Sequence, residues 1–248
     1  MKAILSDIHG NLEALQAVLR DIARHGVGTV YCLGDTVGYG PNPRECLDLA
    51  MRWPVVLRGN FEQAVLAGAE GFGLHARRSV DWTRQQLQAP VPDRQIATSR
   101  DDFLTGLPHT FHEDESLFVH GSARDPLHEY VFPEDIYNER KMMRIFALVA
   151  RYCFHGHTHI PGVFTEDMRF IRPEEAGSVY HLGDRKALVN VGSVGQPRDG
   201  DWRACYVLLD GNAICFRRIE YDIETTIRKI RDIDDLDDFL GDRLGNGR

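Results

Sequence analysis

Apolar positions along the chain keep two alternating rhythms. Lys2 to Ser6 is an apolar run of strand length, and Asn11 to Arg24 follows with Leu12, Leu15, Val18, Leu19 and Ile22 at helical spacing before Gly26. Thr29 to Leu33 reads as a second strand, the Gly- and Pro-dense GDTVGYGPNP as a loop, Arg44 to Met51 as a helix, and Val55 to Leu57 as a third strand that stops at Gly59 and Asn60. This order predicts a parallel α/β sheet, in which ligands gather at the carboxyl ends of the strands. Asp7, Asp35 and Asn60 stand at such ends.

Residues 61 to about 107 change character, with helical patterns and no strand between them, which predicts a helical insertion or cap. Leu117 to His120 resumes as strand, Pro133 to Ala150 as helix, and Tyr152 to Phe154 as a strand running into HGHTH. From 162 to 219 short β-rich runs predict a second, largely antiparallel sheet. The acid-rich segment Asp222 to Leu244 reads as a helical, solvated surface tail. A chain of 248 residues accommodates this as one domain, 1–248, with the insertion near 61–107 and the tail near 221–248.

Metal-competent side chains recur in the loops that follow apolar strands: Asp7 and His9 in SDIHG, Asp35 in LGD, Asn60 in RGN, His120 in FVHG, His157 and His159 in HGHTH. Taken as extended chain, each DxH or HxH would aim both side chains to one side, so that each pair grips one ion. Neighbouring glycines let the backbone approach closely. A lone DxH or GD is common and weak, whereas five such motifs in one order, each after a strand, are hard to produce without a site. The oxygen and nitrogen donors, with no thiolate, suit Mn, Fe, Ni or Zn at an exchangeable centre. Asn60 would bind through its carbonyl oxygen without adding negative charge.

Charge narrows the partners. Lys plus Arg total 29 against 37 Asp plus Glu, a formal −8 that disfavours a general nucleic-acid binder. The five cysteines form no CxxC pair and lie mostly in apolar stretches, as expected of free thiols in a reducing compartment. Neither a signal-peptide core nor an 18-residue apolar run is present, so a cytoplasmic protein without membrane partners is expected. A protein partner stays open, and the pattern gives no oligomeric state.

These motifs, DIHG, GD, GN with an acid two positions on, an isolated HG, and GHTH, resemble the signature of the calcineurin-like metallophosphoesterases through residues 3 to 160. NVGSVGQPRDG at 190–200 is similar to the NPGSVGQPRDG loop of a group of bacterial members of about this length. The resemblance implies a four-layer α/β/β/α sandwich of two mixed β-sheets flanked by helices, with two divalent ions at the strand ends. It implies that Asp7, His9 and His159 hold the first, Asn60, His120 and His157 the second, and Asp35 both, with Asp35 and Asn60 at the reacting centre. Two such ions lower the pKa of a shared water toward about 7, giving hydrolysis of a small phosphate ester by a bridging hydroxide.

One position departs from the pattern. Many relatives carry His directly after the Asn of GN, where it protonates the leaving group or steadies the transition state; here it is Phe61. A phenyl ring transfers no proton, and a general acid contributes about 10²- to 10⁴-fold. His75, His128 and His155 are candidates to replace it, and Phe61 itself could stack on an aromatic group or pack beneath the insertion. Glu62 is expected to orient a ligand or cap the following helix.

GSARDP at 121–126 and GSVGQPRDG at 192–200 each pair Gly-Ser with a later Arg-Asp, making Arg124 and Arg198 candidate phosphate contacts, or else partners of nearby acids. Asn42 is a further candidate substrate contact. The absence of a Lys/Arg cluster favours phosphodiesters over dianionic monoesters. The alternatives are a phosphomonoester or phosphoprotein phosphatase, a nuclease, and a scaffold of the same fold that has lost catalysis.

Overall fold

Strand β1 (Lys2–Leu5) is buried on both faces: Ile4 points into one apolar core and Ala3 and Leu5 into another, the two-residue period of a pleated strand. A computed structural model describes residues 1–90 and 94–248, so positions 91–93 of the expected insertion lie outside the described residues. The first sheet runs β3 (Val55–Val56), β2 (Val30–Cys32), β1, β11 (Ala204–Asp210), β12 (Ala213–Ile219), β9 (Val179–His181). Its β1, β2 and β3 are parallel, and the others pair antiparallel.

The second sheet runs β4 (Thr110–Glu113), β5 (Ser116–Val119), β6 (Tyr152–His155), β10 (Ala187–Asn190), β7 (Gly162–Thr165), β8 (Phe170–Ile171), with β5, β6 and β10 parallel. Ile4 and Val207 of the first sheet, with Leu33 just past β2, meet Phe118, Phe154 and Val189 of the second in a shared core. Outside the first sheet pack α1 (Leu12–Arg24), α2 (Pro43–Ala50), α3 (Asn60–Ala67), α4 (Leu74–Gln88) and α5 (Arg94–Gly106); outside the second packs α6 (Glu139–Phe146). The α/β/β/α sandwich of two mixed sheets is therefore the fold.

Four expectations need correction. Residues 162–219 do not make a second sheet of their own: β7, β8 and β10 join one sheet and β9, β11 and β12 the other. Alternating runs report that a segment is strand and say nothing of which sheet takes it. Strand β4 was not expected, because its side chains are only half-covered at a sheet edge; it forms a hairpin with β5 through Asp114, whose φ of 50° suits a tight turn. The helix expected over 133–150 is a 3-10 turn at Pro133–Tyr137 followed by α6, with Asn138 between them accepting from the Lys141 amide.

The acid-rich tail is not simply solvated. It forms α7 (Ile223–Arg231) and α8 (Asp238–Gly245), whose Ile227, Ile230, Leu240 and Leu244 bury with Leu236 against Trp82 of α4 and Tyr39. Its acids face outward while the apolar residues, three or four apart, face in. Among the described residues no helix is long and apolar enough to cross a membrane. Leu240→Ala is expected to cost about 2–5 kcal/mol in urea unfolding; a loss below about 0.5 kcal/mol would restore the solvated tail.

Candidate metal centre

The loops after β1, β2, β3, β5 and β6 bring the predicted groups together. Asp7, His9, Asp35, His157 and His159 all adopt left-handed backbone, with φ of 54°, 49°, 52°, 67° and 61°. Asp and His tolerate that region better than most residues, yet each such position costs about 1–2 kcal/mol. Asp7 and His9, like His157 and His159, therefore share a side because of tight turns beyond the strand ends, and not because of extended-chain alternation as expected. Two glycines leave the necessary room: a Cβ on Gly59 would lie 2.1 Å from Asp35 Oδ1, and one on Gly156 2.5 Å from Asp7 Oδ2.

Backbone carbonyls set the tautomer of each histidine. Nδ1–H donates from His9 to Val37 (3.2 Å), from His120 to Leu33 (3.1 Å) and from His159 to Gln196 (2.5 Å), so Nε2 carries the lone pair. His157 is turned round, its Nε2–H donating to the His128 carbonyl at 3.3 Å and its Nδ1 facing inward. Burial lowers the pKa of all four rings, that of His159 to about 4. The imidazoles are neutral and ready to donate lone pairs.

Those lone pairs face other acceptors. His9 Nε2 and His159 Nε2 lie 3.2 Å apart, with Asp7 Oδ1 3.2 Å from His159 Nε2. His120 Nε2 lies 2.9 Å from Asn60 Oδ1 and 3.0 Å from His157 Nδ1. Asp35 Oδ2 stands between the groups, 3.7 Å from His9 Nε2 and 3.4 Å from His120 Nε2. Two candidate metal-binding triads result, Asp7/His9/His159 and Asp35/His120/His157.

Acceptors packed against acceptors repel unless a cation lies among them, and Asp7 Oδ1 is buried with no hydrogen-bond partner among the described residues. Asp35 is pushed well above the usual carboxylate range by burial and by the charges of Glu62 and Asp7. The donor set fits divalent cations.

Glu62 does both things expected of it. Its carboxylate accepts from the amide of Gly59 at 2.8 Å, capping α3, and from those of Asp35, Thr36 and Val37, fixing the turn that presents Asp35. The Phe61 amide donates to Asp35 Oδ1 at 2.8 Å, leaving Oδ2 toward the triads.

Beside the triads opens a cavity of about 340 Å³, lined by Asp35, Asn60, His157 and His159 together with Tyr39, Phe61, Phe72, Tyr130, His128 and Arg198. Of the candidate substrate contacts only Arg198 reaches it. Arg124 is held by Glu129, and Asn42 accepts from Lys229 Nζ at 3.0 Å. Of the candidate histidines, His128 lines the cavity, His75 pairs with Asp237 at 2.9 Å, and His155 is buried beside Asn190. Phe61 is 3% exposed and packs on His9, Tyr39 and Phe72 under the helical segment.

Sequence reasoning missed Tyr130, which stacks on His157 at 3.7 Å and 15°, and Tyr39 and Phe72. Single aromatics in irregular loops carry no periodic signal.

A family description of the calcineurin-like phosphoesterase superfamily domain matches residues 1–213. The chain belongs to that superfamily. Membership supports a hydrolase acting on phosphate esters, in a family that uses divalent metals. An uncharacterized protein of Methanocaldococcus jannaschii is similar to this phosphoesterase, 36% identical over 100% of the chain and 98% of its own length.

A crystal structure of a metallophosphoesterase from Sphaerobacter thermophilus has 35% identity and a TM-score of 0.83, covering 100% of this chain and 98% of its own. A hypothetical protein of Pyrococcus horikoshii shares the fold at 22% identity and TM-score 0.75, over 100% and 99% of the chains.

Burial of neutral histidines makes the metal-free phosphoesterase sensitive to acid. His159 binds its proton near pH 6.5 when unfolded and only near pH 4 when folded, so below about 6.5 the unfolded chain holds more protons and stability falls. In chelator, wild type should lose stability relative to His159→Gln by up to about 1.4 kcal/mol per pH unit between those limits. Urea titrations giving a constant difference from pH 7 to 4 would contradict a buried neutral ring.

Proposed function

We propose that this phosphoesterase is a two-metal phosphodiesterase, with one ion on Asp7, His9 and His159, the other on Asn60, His120 and His157, and Asp35 shared. What carries the reading is Asp35 Oδ2, which reaches toward both sets of inward-facing donors while its other oxygen is held by the Phe61 amide. Mn, Fe, Ni or Zn suits these donors. Bound there, the ions supply Lewis acidity toward phosphoryl oxygens and a deprotonated water near neutral pH.

The protein's own groups do the rest. The carbonyls of Val37, Leu33, Gln196 and His128 hold the rings in the tautomers that donate inward, and neutral Asn60 limits the negative charge facing an anionic substrate. Arg198 orients a phosphoryl oxygen, and a single arginine among the described lining residues favours a singly charged diester phosphate at the metals over a dianionic monoester phosphate. His128, on the cavity lining, takes the part of proton donor to the leaving alcohol, while Phe61 walls the site. The chain is taken as one domain, with α3 to α5 as a cap and α7 and α8 as an appended hairpin. Its buried free cysteines suit a reducing, cytoplasmic setting.

Matched aryl and alkyl phosphodiesters test this with protein stripped by chelator and reloaded with each metal. Turnover should require metal and vanish in Asp35→Asn; unchanged turnover in that variant would overturn the shared-ligand assignment. His128→Gln should slow alkyl leaving groups about 10- to 100-fold more than aryl ones, and Phe61→His should help alkyl ones selectively. Equal effects on both would assign His128 and Phe61 to packing. Loss of all turnover with two ions bound would favour the scaffold reading, which the packed Phe61 motivates.

A further inference from the structure

Most partly buried arginines here already have partners. Arg100 holds Asp48, Arg217 holds Asp21 and Arg218 holds Asp199, while Arg44, Arg58 and Arg84 donate to backbone carbonyls. Arg198 and Arg243, like Arg44 and Arg58, form no ion pair with a side-chain carboxylate among the described residues, but these two stand near the cavity with donors to spare. Arg198 donates from Nε and Nη2 to Gln196 Oε1, the latter at 2.8 Å, and Arg243 donates from Nε to the main-chain oxygen of Arg248 at 2.5 Å. Arg198 Nη1 and both terminal nitrogens of Arg243 are left free of hydrogen bonds among the described residues.

The two guanidinium groups share one aromatic neighbour. Arg198 lies 5.8 Å and Arg243 6.0 Å from the ring centroid of Tyr39, which lines the cavity. Burial and then the Arg198 charge push the Arg243 pKa down to about 10, so the fold holds two like charges close together in an acidic protein. That arrangement is costly without an anion and favourable with one. Leu240 and Leu244 anchor α8 in its core, which fixes Arg243, and the Phe239 ring lies 5.6 Å from its guanidinium. Glu70, exposed, is the carboxylate outside the triads among the described lining residues. The helix that presents Arg243 lies beyond residues 1–213, the span matching the family.

We propose that Arg243, beside Arg198 at the Tyr39 ring, binds a second anionic group of the substrate, a phosphoryl or carboxylate on the arm of the ester away from the triads. This rests on the phosphodiesterase reading and narrows its substrate class to esters with a charged arm. Arg198 contacts the phosphoryl group at the triads or the arm beside it, and Arg243 takes the far anion.

The test uses 4-nitrophenyl phosphodiesters whose remaining arm ends in hydroxyl, carboxylate or phosphate, with metal-loaded full-length protein. Wild type should bind one or both anionic arms with KM about tenfold lower than the hydroxyl arm. In Arg243→Gln that ratio should collapse toward one, in Arg243→Lys it should survive in part, and in wild type it should shrink with added salt. A preference confined to the phosphate arm would name phosphoryl as the anion.

No preference in wild type, or a ratio retained in a folded Arg243→Gln, overturns the proposal. Pyrophosphate binding to chelator-treated protein, measured by calorimetry, separates this result from failure of the phosphodiesterase reading. About tenfold weaker binding in Arg243→Gln supports the clamp even without turnover, and equal affinity overturns it.

Discussion

The structure turns on one electrostatic problem: two carboxylates and four imidazoles are buried together with their lone pairs facing inward, and a third carboxylate is buried behind them. Asp7, Asp35 and Glu62 are each no more than 1% exposed. Glu62 is satisfied by four backbone amides, so its charge is spent on holding the Asp35 turn. Among the described residues Asp7 and Asp35 have one backbone amide each, those of His157 and Phe61, and the neutral histidines around them cannot supply the rest. An unsatisfied buried polar atom costs about 1–3 kcal/mol and a charge more. Divalent cations resolve the conflict, and several kcal/mol of left-handed backbone at the same loops is the structural cost of aiming the donors.

The surroundings follow from that centre. The parallel strands β1, β2, β3, β5 and β6 end on the same side of the sandwich, so every donor enters from a carboxyl end. Helix α3 and the loop before α4 bring Phe61 and Phe72 over one flank, and the loop before α6 lays Tyr130 on His157. The α7–α8 hairpin closes the other flank, packing Leu240 and Leu244 near His9 and Tyr39 and carrying Arg243 with them.

Much of this was legible in the sequence because strand-end motifs are local. Asp7, His9, Asp35, Asn60, His120, His157 and His159 could be collected from short apolar runs followed by glycine, and they do converge. The reason given for their pairing was wrong, since backbone torsion beyond a strand is not visible in spacing. Sheet membership of residues 162–219 was also hidden, because register and partner are settled by long-range pairing. In the tail, Ile227, Ile230, Leu240 and Leu244 carried a helical apolar period that the acid count obscured. Arg124 and Arg198 looked alike in GSARDP and GSVGQPRDG, but Glu129, five residues on, takes the first, and among the described residues no acid takes the second.

The most direct measurement is anomalous diffraction from crystals of the protein soaked with Mn²⁺. The account predicts two strong peaks, one among Asp7, His9 and His159, the other among Asn60, His120 and His157, with Asp35 contacting both. A single peak away from Asp35, or no peak among these residues at saturating metal, would contradict it.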